Sequence, residues 1–182
     1  MRDEIDEEKK KKMGDDVTDV LRSGKQTLIA RHHYNTAKYE VVERKNITFL
    51  ITSATVPEKP TEYLATHAAC VRDLVGKDRK FVMIFDFRGA KLPLRWAESM
   101  IPFVKTHQSL AELYMTHLHN TVFILDNQAI TDTFNTVLKT LYKPVRPFHF
   151  VCCHKRRPTG DPICEDVRTF VKSQLLAAQA AT

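Results

Sequence analysis

The chain has 182 residues, of which 43% are hydrophobic and 27% are charged. These values are typical of a soluble globular protein with one domain, and they exclude collagen-like, coiled-coil and wholly disordered compositions. No run of about 18 uncharged apolar residues occurs, so no segment is predicted to span a membrane. The formal net charge is +6. A basic surface fits an anionic lipid, a nucleic acid or an acidic protein, and charge alone does not choose among them.

A charged arm of residues 1–26 is predicted to precede a single domain of residues 27–182. The first 16 residues hold seven acidic and five basic side chains, so they can bury little apolar surface. A short helix over residues 17–21 is expected before the domain begins. The arm lacks the apolar core of a secretory signal and the Arg-rich pattern of a transit peptide, so no cleaved targeting segment is expected.

The cysteine content indicates a reducing compartment. Four cysteines in a chain of this length do not resemble a disulfide framework, and the adjacent Cys152 and Cys153 would point to opposite faces of a strand. We therefore expect a cytoplasmic or other reducing location, with peripheral contact to a membrane left open, and we do not expect secretion.

The first half of the domain is predicted to contain strands, a helix and a central strand. Three segments alternate polar and apolar residues, which predicts a β-hairpin or a three-stranded meander: 27–31, 38–43 and 47–52. From Pro60 to Gly76 apolar residues recur every three or four positions, which predicts a helix. The apolar run over residues 81–86 then predicts a central strand that is buried on both faces.

Helices and strands alternate in the second half. A helical region is predicted from Trp96 to Tyr114, in which Pro102 either kinks the helix or opens a second one. A strand, a helix, a strand and a C-terminal helix follow: 121–126, 130–141, 147–152 and the segment from Asp161. This order predicts an α/β sandwich of two or three layers, with an N-terminal β-hairpin, αβ repeats around a mostly parallel central sheet and a C-terminal helix.

The motifs for nucleotide hydrolysis and for serine catalysis are missing from the sequence. Its five glycines never stand in a phosphate-loop spacing, and no serine lies in a GxSxG elbow. Asp86 and Asp126 follow two central strands and could form an acid and base pair, but a carboxylate at a strand end commonly caps the next helix. We therefore expect no enzyme activity and no catalytic residue.

The histidines and cysteines give weak signals for a metal. Cys152, Cys153, His154 and Cys164 are zinc-ligand types, but they lack a paired CxxC spacing. His107 falls on a predicted helix and the pair His117 and His119 in a predicted surface loop, and all three are interpreted as solvated. We expect neither a metal nor a cofactor.

Two basic stretches flank the last strand, and both could engage phosphates or form a solvated surface. Their side chains are Lys143 and Arg146 before the strand, and Lys155, Arg156 and Arg157 after it. Nucleic acid is not favoured, because no platform of exposed aromatics on adjacent strands is evident and no helix is basic along its face. The candidate partners of these side chains are therefore an anionic head group or a protein.

Residues 81–151 resemble the CRAL-TRIO lipid-binding domain. Phe85-Asp86-Phe87-Arg88-Gly89 is similar to that family's strand ending in Asp-x-x-Gly, and the segment from Thr121 to Asn127 is similar to its apolar strand ending near Asn-x-Pro. Tyr114-Met115-Thr116-His117-Leu118 stands where the family has Tyr-Pro-Glu-x-Leu, and the segment up to Lys143-Pro144 resembles the end of its gate helix. The resemblance implies that Asp86, Gly89, Asn127 and Pro144 are structural motif residues.

The departures from this pattern point to a second resemblance. Met115 and Ala129 stand where the family has proline, and a charged arm and a hairpin take the place of the family's preceding helical domain. A hairpin followed by αβ units is also similar to the STAS fold. Phe87-Arg88 stands where bacterial STAS antagonists carry a phosphorylatable serine, so that switch is not expected.

Both resemblances imply a non-enzymatic module. The first implies a pocket for a lipid or another hydrophobic molecule, with contact to an anionic membrane surface, and the second implies a ligand-free interaction or scaffold subunit of a larger assembly. A pocket would have its wall at Phe87, Trp96, Phe103, Ile130 and Phe134, and its head-group side at Lys143 and Arg146. The alternative for these aromatics is a filled core. The insert over residues 91–113 is short for the helices that line such a pocket, so the interpretation as a scaffold subunit stays open.

Overall fold

The computed structural model describes residues 27–33, 37–44, 47–54, 60–88 and 96–152, together with Thr169 and Ser173. Its strands are β1 (Thr27–His33), β2 (Ala37–Arg44), β3 (Ile47–Ala54), β4 (Phe81–Asp86), β5 (Leu118–Leu125) and β6 (Phe148–Cys152). Its helices are α1 (Pro60–Gly76), α2 (Trp96–Ser109), α3 (Ala111–His117) and α4 (Gln128–Leu141). The predicted α/β class is confirmed.

The six strands form one sheet in which the spatial order follows the chain order. The strands β1, β2 and β3 are antiparallel, so the predicted hairpin is a three-stranded meander. From β3 to β6 all neighbours are parallel, and each parallel step uses a helical crossover, as the alternation of apolar strands and amphipathic helices predicts.

One face of the sheet carries the described helices. All four helices contribute side chains to a single apolar cluster on that face, for example Val71, Phe103, Tyr114 and Leu138. The strands contribute alternate residues to the same cluster, such as Leu50, Met83, Phe85, Phe123 and Leu125, because successive side chains of a strand point to opposite faces.

The opposite face of the sheet is apolar and buried as well. Five apolar side chains of this face are at most 2% exposed, and none of them belongs to the cluster beneath the described helices. They are Phe49, Ile51, Ile84, Val122 and Ile124. Burial on both faces explains why every residue of β4 is apolar except its last, since all six are buried.

The boundaries of α4 follow from local chemistry. The Asn127 side-chain oxygen accepts a hydrogen bond from the backbone N–H of Ile130 at 3.2 Å, which caps the first turn. The backbone is extended at Tyr142, and Lys143 precedes Pro144, where a helical conformation is disfavoured. Asn127 and Pro144 thus have structural roles at the two ends of the helix.

The structure excludes one of the two alternatives for Pro102, a second helix that opens there, and it corrects the loop expected around His117 and His119. α2 continues through Pro102, and the second helix begins at Ala111, because the Leu110 N–H bonds the carbonyl of His107 at 3.2 Å in a tight turn. The expected surface loop around His117 and His119 is instead the end of α3 and the start of β5. The expected arm helix, the C-terminal helix and Gly89 lie outside the described residues. Within the described part of the chain, no helix is long and apolar enough to cross a membrane.

Candidate functional site

A small cavity lies between the helical layer and the sheet. Its walls are apolar side chains of the strands, including Met83, Phe85, Phe123 and Phe148, and side chains of α2 and α4, including Phe103, His107 and Leu138. Tyr142 and the connection Pro144-Val145-Arg146 bound it on the side that leads to β6. The cavity offers about 20 Å³ to the centre of a water molecule, which is room for about one water. We call it the His107 cavity.

A chain of three polar side chains lies beside the cavity within the core. The Tyr114 hydroxyl lies 2.9 Å from Nδ1 of His107 and 3.1 Å from Nε2 of His67. These side chains come from α3, α2 and α1, so the hydrogen bonds join three helices at one point. All three residues are at most 2% exposed.

The Tyr114 hydroxyl pairs with only one ring nitrogen of each histidine. A phenol has a single proton, so Tyr114 donates to one imidazole and accepts from the other. The second ring nitrogens, Nε2 of His107 and Nδ1 of His67, are buried and have no hydrogen-bond partner among the residues that the structure describes. Such atoms are uncommon in folded proteins, and a bound water or ligand commonly explains them.

Burial keeps both imidazoles neutral. Desolvation lowers the pKa of His67 from 6.5 to about 3. Desolvation, reinforced by the positive charge that His67 can carry, lowers the pKa of His107 well below its usual value. At neutral pH the two rings therefore act as hydrogen-bonding groups rather than as cations. Burial also raises the pKa of the Tyr142 phenol to about 12, so this cavity wall is neutral too.

Aromatic packing surrounds the ring of His107. Its centroid lies 4.2 Å from that of Phe103 and 6.3 Å from that of Tyr142. Phe85 stacks on Phe123 with 5.0 Å between centroids and meets His107 edge-on at 5.6 Å. These contacts fix the ring plane, so the unpaired Nε2 has a defined direction.

The expected pocket residues lie in this same aromatic region. Phe103 lines the His107 cavity. Phe134 lies 6.0 Å from Phe87 and 6.1 Å from Phe123, measured between ring centroids, and Ile130 packs against the same cluster. α4 therefore packs directly on the sheet at Phe134, and the His107 cavity lies beside this contact, next to Phe103. The side chain of Trp96 lies outside the described residues.

A group of cations lies at the sheet end where the parallel strands begin. Lys80 precedes β4, His119 lies near the start of β5, and Arg146 precedes β6; all three are exposed. Partial burial, followed by the charges of Lys80 and Arg146, lowers the pKa of His119, so these three groups are close enough to act on one another. We call Lys80, His119 and Arg146 the basic rim.

The other charges near this end are largely paired. Lys77 bonds Asp73 at 2.7 Å, Arg79 bonds Glu43, and His117 lies 3.3 Å from Asp78. The Arg146 guanidinium donates to the carbonyl oxygen of Met115, which ties the rim to α3.

Arg146 lines the His107 cavity and also belongs to the basic rim, so the apolar space and the positive charge meet at one residue. The second expected cation, Lys143, is exposed in the same connection. Lys155, Arg156 and Arg157 lie outside the described residues.

The two strand-end carboxylates have different surroundings. The Asp86 oxygens accept hydrogen bonds from the Arg88 side chain at 2.8 and 2.6 Å and from its backbone N–H at 3.2 Å. Asp126 is exposed, whereas Asp86 is buried. Among the described residues no group of three or more metal-ligand side chains is close enough to hold an ion; Cys153, His154 and Cys164 are outside them.

Sequence reasoning missed the buried histidines. His107 was expected to be solvated, and the structure places it in the core at 2% exposure. The spacing contained a signal, because His107, Leu110 and Tyr114 are three and four residues apart and so share a helical face. The neighbours Leu110 and Tyr114 are both buried.

Comparisons with known proteins do not assign this chain to a family. No family model, curated protein or solved structure matches this chain. The CRAL-TRIO and STAS-like resemblances therefore stay predictions that rest on the sequence motifs alone.

Proposed function

We propose that this chain is a non-enzymatic module that binds an amphiphilic anion, a lipid-like molecule with an apolar chain and a negatively charged group. The observation that carries the proposal is the position of Arg146, which lines the His107 cavity and belongs to the basic rim. The apolar chain would enter among Phe85, Phe103 and Phe123, and the anionic group would pair with Arg146. Lys80 would add favourable potential at the same place.

Binding requires the cavity to widen, because its present volume accepts about one water molecule. The residues able to make room are Tyr142 and the connection to β6, since Val145 and Arg146 are exposed and Tyr142 is only partly buried. Burial of an eight-carbon chain contributes about 6 kcal/mol, at about 0.8 kcal/mol for each CH₂ group. That gain is large enough to offset the lost contact between Tyr142 and His107.

The same surface supports peripheral contact with an anionic membrane, since Lys80 and Arg146 at one end of the sheet would each gain from a negative surface potential. We place the protein in the cytoplasm or another reducing space. The buried Cys70 is a free thiol, which fits such a compartment.

The proposal is tested by titrating the protein with decanoic acid and following the heat of binding. We expect saturable binding, and we expect Arg146→Gln to weaken it about tenfold by removing one charge-assisted pair. The matched control is Lys139→Gln, because Lys139 is exposed on α4 and does not line the cavity. Native mass spectrometry of protein from its host supplies the second measurement. An empty protein in that spectrum, together with no decanoate binding, would overturn the proposal.

A second candidate function, a ligand-free interaction subunit, is favoured by the direct packing of α4. Phe134 and Leu138 are 5% and 1% exposed, as in a filled core. Met115 and Val145 are 50% and 38% exposed, and the bond from Arg146 to Met115 holds them near each other. Such a surface suits a partner with apolar and acidic side chains.

Sedimentation of the tagged protein in host lysate tests this second candidate. A subunit of an assembly would migrate well above 21 kDa, and the double variant Met115→Asp and Val145→Asp would return it to monomer size. Ile101→Asp is the control, since Ile101 is equally exposed on α2. Migration of the wild type as a free monomer would contradict the subunit function.

A further inference from the structure

We infer that His107 selects the ligand of this cavity, and that the apolar part of that ligand carries a hydroxyl or carbonyl oxygen that pairs with Nε2 of His107. The inference rests on the proposed amphiphile-binding function and specifies the class of molecule. It comes from one atom, because Nε2 is buried without a partner on a ring that lines the cavity.

The ring of His107 lines the cavity, and Nε2 is the ring nitrogen that Tyr114 does not use. Nδ1 of the same ring faces the Tyr114 hydroxyl at 2.9 Å, and Tyr114 does not line the cavity. The opposite edge of the imidazole, which carries Nε2, is therefore the polar edge available to an occupant. Phe103, Phe85 and Tyr142 surround the ring, so Nε2 adds a hydrogen-bonding point to a largely aromatic wall. The other polar residues of that wall are Thr121, Tyr142 and Arg146.

The position of the Tyr114 proton decides whether Nε2 of His107 donates or accepts a hydrogen bond. When Tyr114 donates to Nδ1 of His107, Nε2 carries a hydrogen and donates. When Tyr114 instead donates to Nε2 of His67, His107 donates from Nδ1 and its Nε2 accepts. A hydroxyl pairs in either arrangement and a carbonyl pairs in the first, whereas a hydrocarbon pairs in neither.

The preference for an oxygen-bearing ligand follows from the cost of leaving Nε2 desolvated and unpaired. A saturated chain beside Nε2 would expel water and leave the nitrogen unpaired, whereas an oxygen at that position would complete its hydrogen bond. We expect an oxygen-bearing ligand to bind at least about tenfold more tightly than its hydrocarbon match. This behaviour differs from that of a purely apolar pocket, which distinguishes such pairs weakly.

The test compares matched acids by calorimetry: octanoic, decanoic and dodecanoic acid, each beside its ω-hydroxy derivative. In the wild type we expect one chain length to show the tenfold preference for the hydroxy acid, because the position of the hydroxyl must match the depth of His107. His107→Phe should lose that preference, so that each hydroxy acid binds no more tightly to the variant than its plain match. Lys139→Gln, at an exposed position of α4 outside the cavity lining, should retain the preference.

The outcomes separate the two proposals. If every plain acid binds as tightly as its hydroxy match, the selection by His107 is overturned and amphiphile binding stands. If no acid binds, both fail. If His107→Phe does not fold, the ¹⁵N resonance of Nε2 in the labelled wild type decides: a shift on adding the hydroxy acid and not the plain acid supports the inference, and equal shifts overturn it.

Discussion

The Tyr114 hydroxyl lies 2.9 Å from Nδ1 of His107 and joins α3 to α2 across the turn at Leu110. The same hydroxyl reaches His67 on α1 at 3.1 Å. One oxygen thus fixes the relative position of three helices above the sheet, and it sets which hydrogen-bonding edge His107 presents to the cavity.

Tyr114→Phe removes this oxygen and should destabilise the protein by about 2–4 kcal/mol, because two buried imidazole nitrogens lose their partner at about 1–3 kcal/mol each. Urea unfolding followed by circular dichroism measures the change. Tyr142→Phe is the control, since Tyr142 has no part in the three-residue chain, and we expect it to cost less than about 1 kcal/mol. A loss below about 0.5 kcal/mol for Tyr114→Phe would show that the hydrogen bonds contribute little.

The helices and strands could be predicted from the sequence wherever their formation depends on neighbouring residues. The apolar run of β4 predicts a strand buried on both faces, and all six of its residues are buried. Asn127 and Pro144 mark the ends of α4 in the sequence as in the structure. The polar centre of the candidate site was not predictable, because His67 and Tyr114 are 47 positions apart. Whether a histidine is buried depends on such a distant partner, which periodicity cannot reveal.

Acid should destabilise the protein below about pH 6.5. The pKa of His67 is lowered from 6.5 to about 3, so between these values the unfolded chain binds a proton that the folded chain does not. Stability is therefore unaffected above pH 6.5 and falls by about 1.4 kcal/mol per pH unit below it, or about 2 kcal/mol at pH 5 for this residue. The lowered pKa of His107 adds to the effect.

Urea unfolding at pH 7, 6 and 5 measures this dependence. His67→Gln keeps a donor and an acceptor without a group that titrates in this range, so it should reduce the slope between pH 6 and 5. Gln108→Ala, at an exposed and non-titrating position of α2, is the control and should leave the slope unchanged. A wild-type stability that is flat from pH 7 to 5 would contradict the burial of neutral imidazoles.

Asp86→Asn tests whether this carboxylate is structural. The side chain is 7% exposed and binds Arg88 through both oxygens, so the variant should lose about 1–3 kcal/mol by weakening a largely buried ion pair. A double-mutant cycle with Arg88→Gln should give a coupling energy of about 1–2 kcal/mol. A coupling energy near zero would show that Asp86 acts independently of Arg88.

Leu138→Ala separates a filled core from a cavity that can take a ligand. Leu138 is 1% exposed and forms part of the cavity wall, so its truncation should destabilise the protein by about 2–5 kcal/mol and enlarge the space beside His107. If decanoate uses that space, the variant should bind it more tightly than the wild type, because less of the wall must move. Val137→Ala is the control, since Val137 is only partly buried and does not line the cavity. Calorimetry and urea unfolding of the same samples give both quantities, and a destabilised Leu138→Ala variant with unchanged or weaker decanoate affinity would place the amphiphile elsewhere.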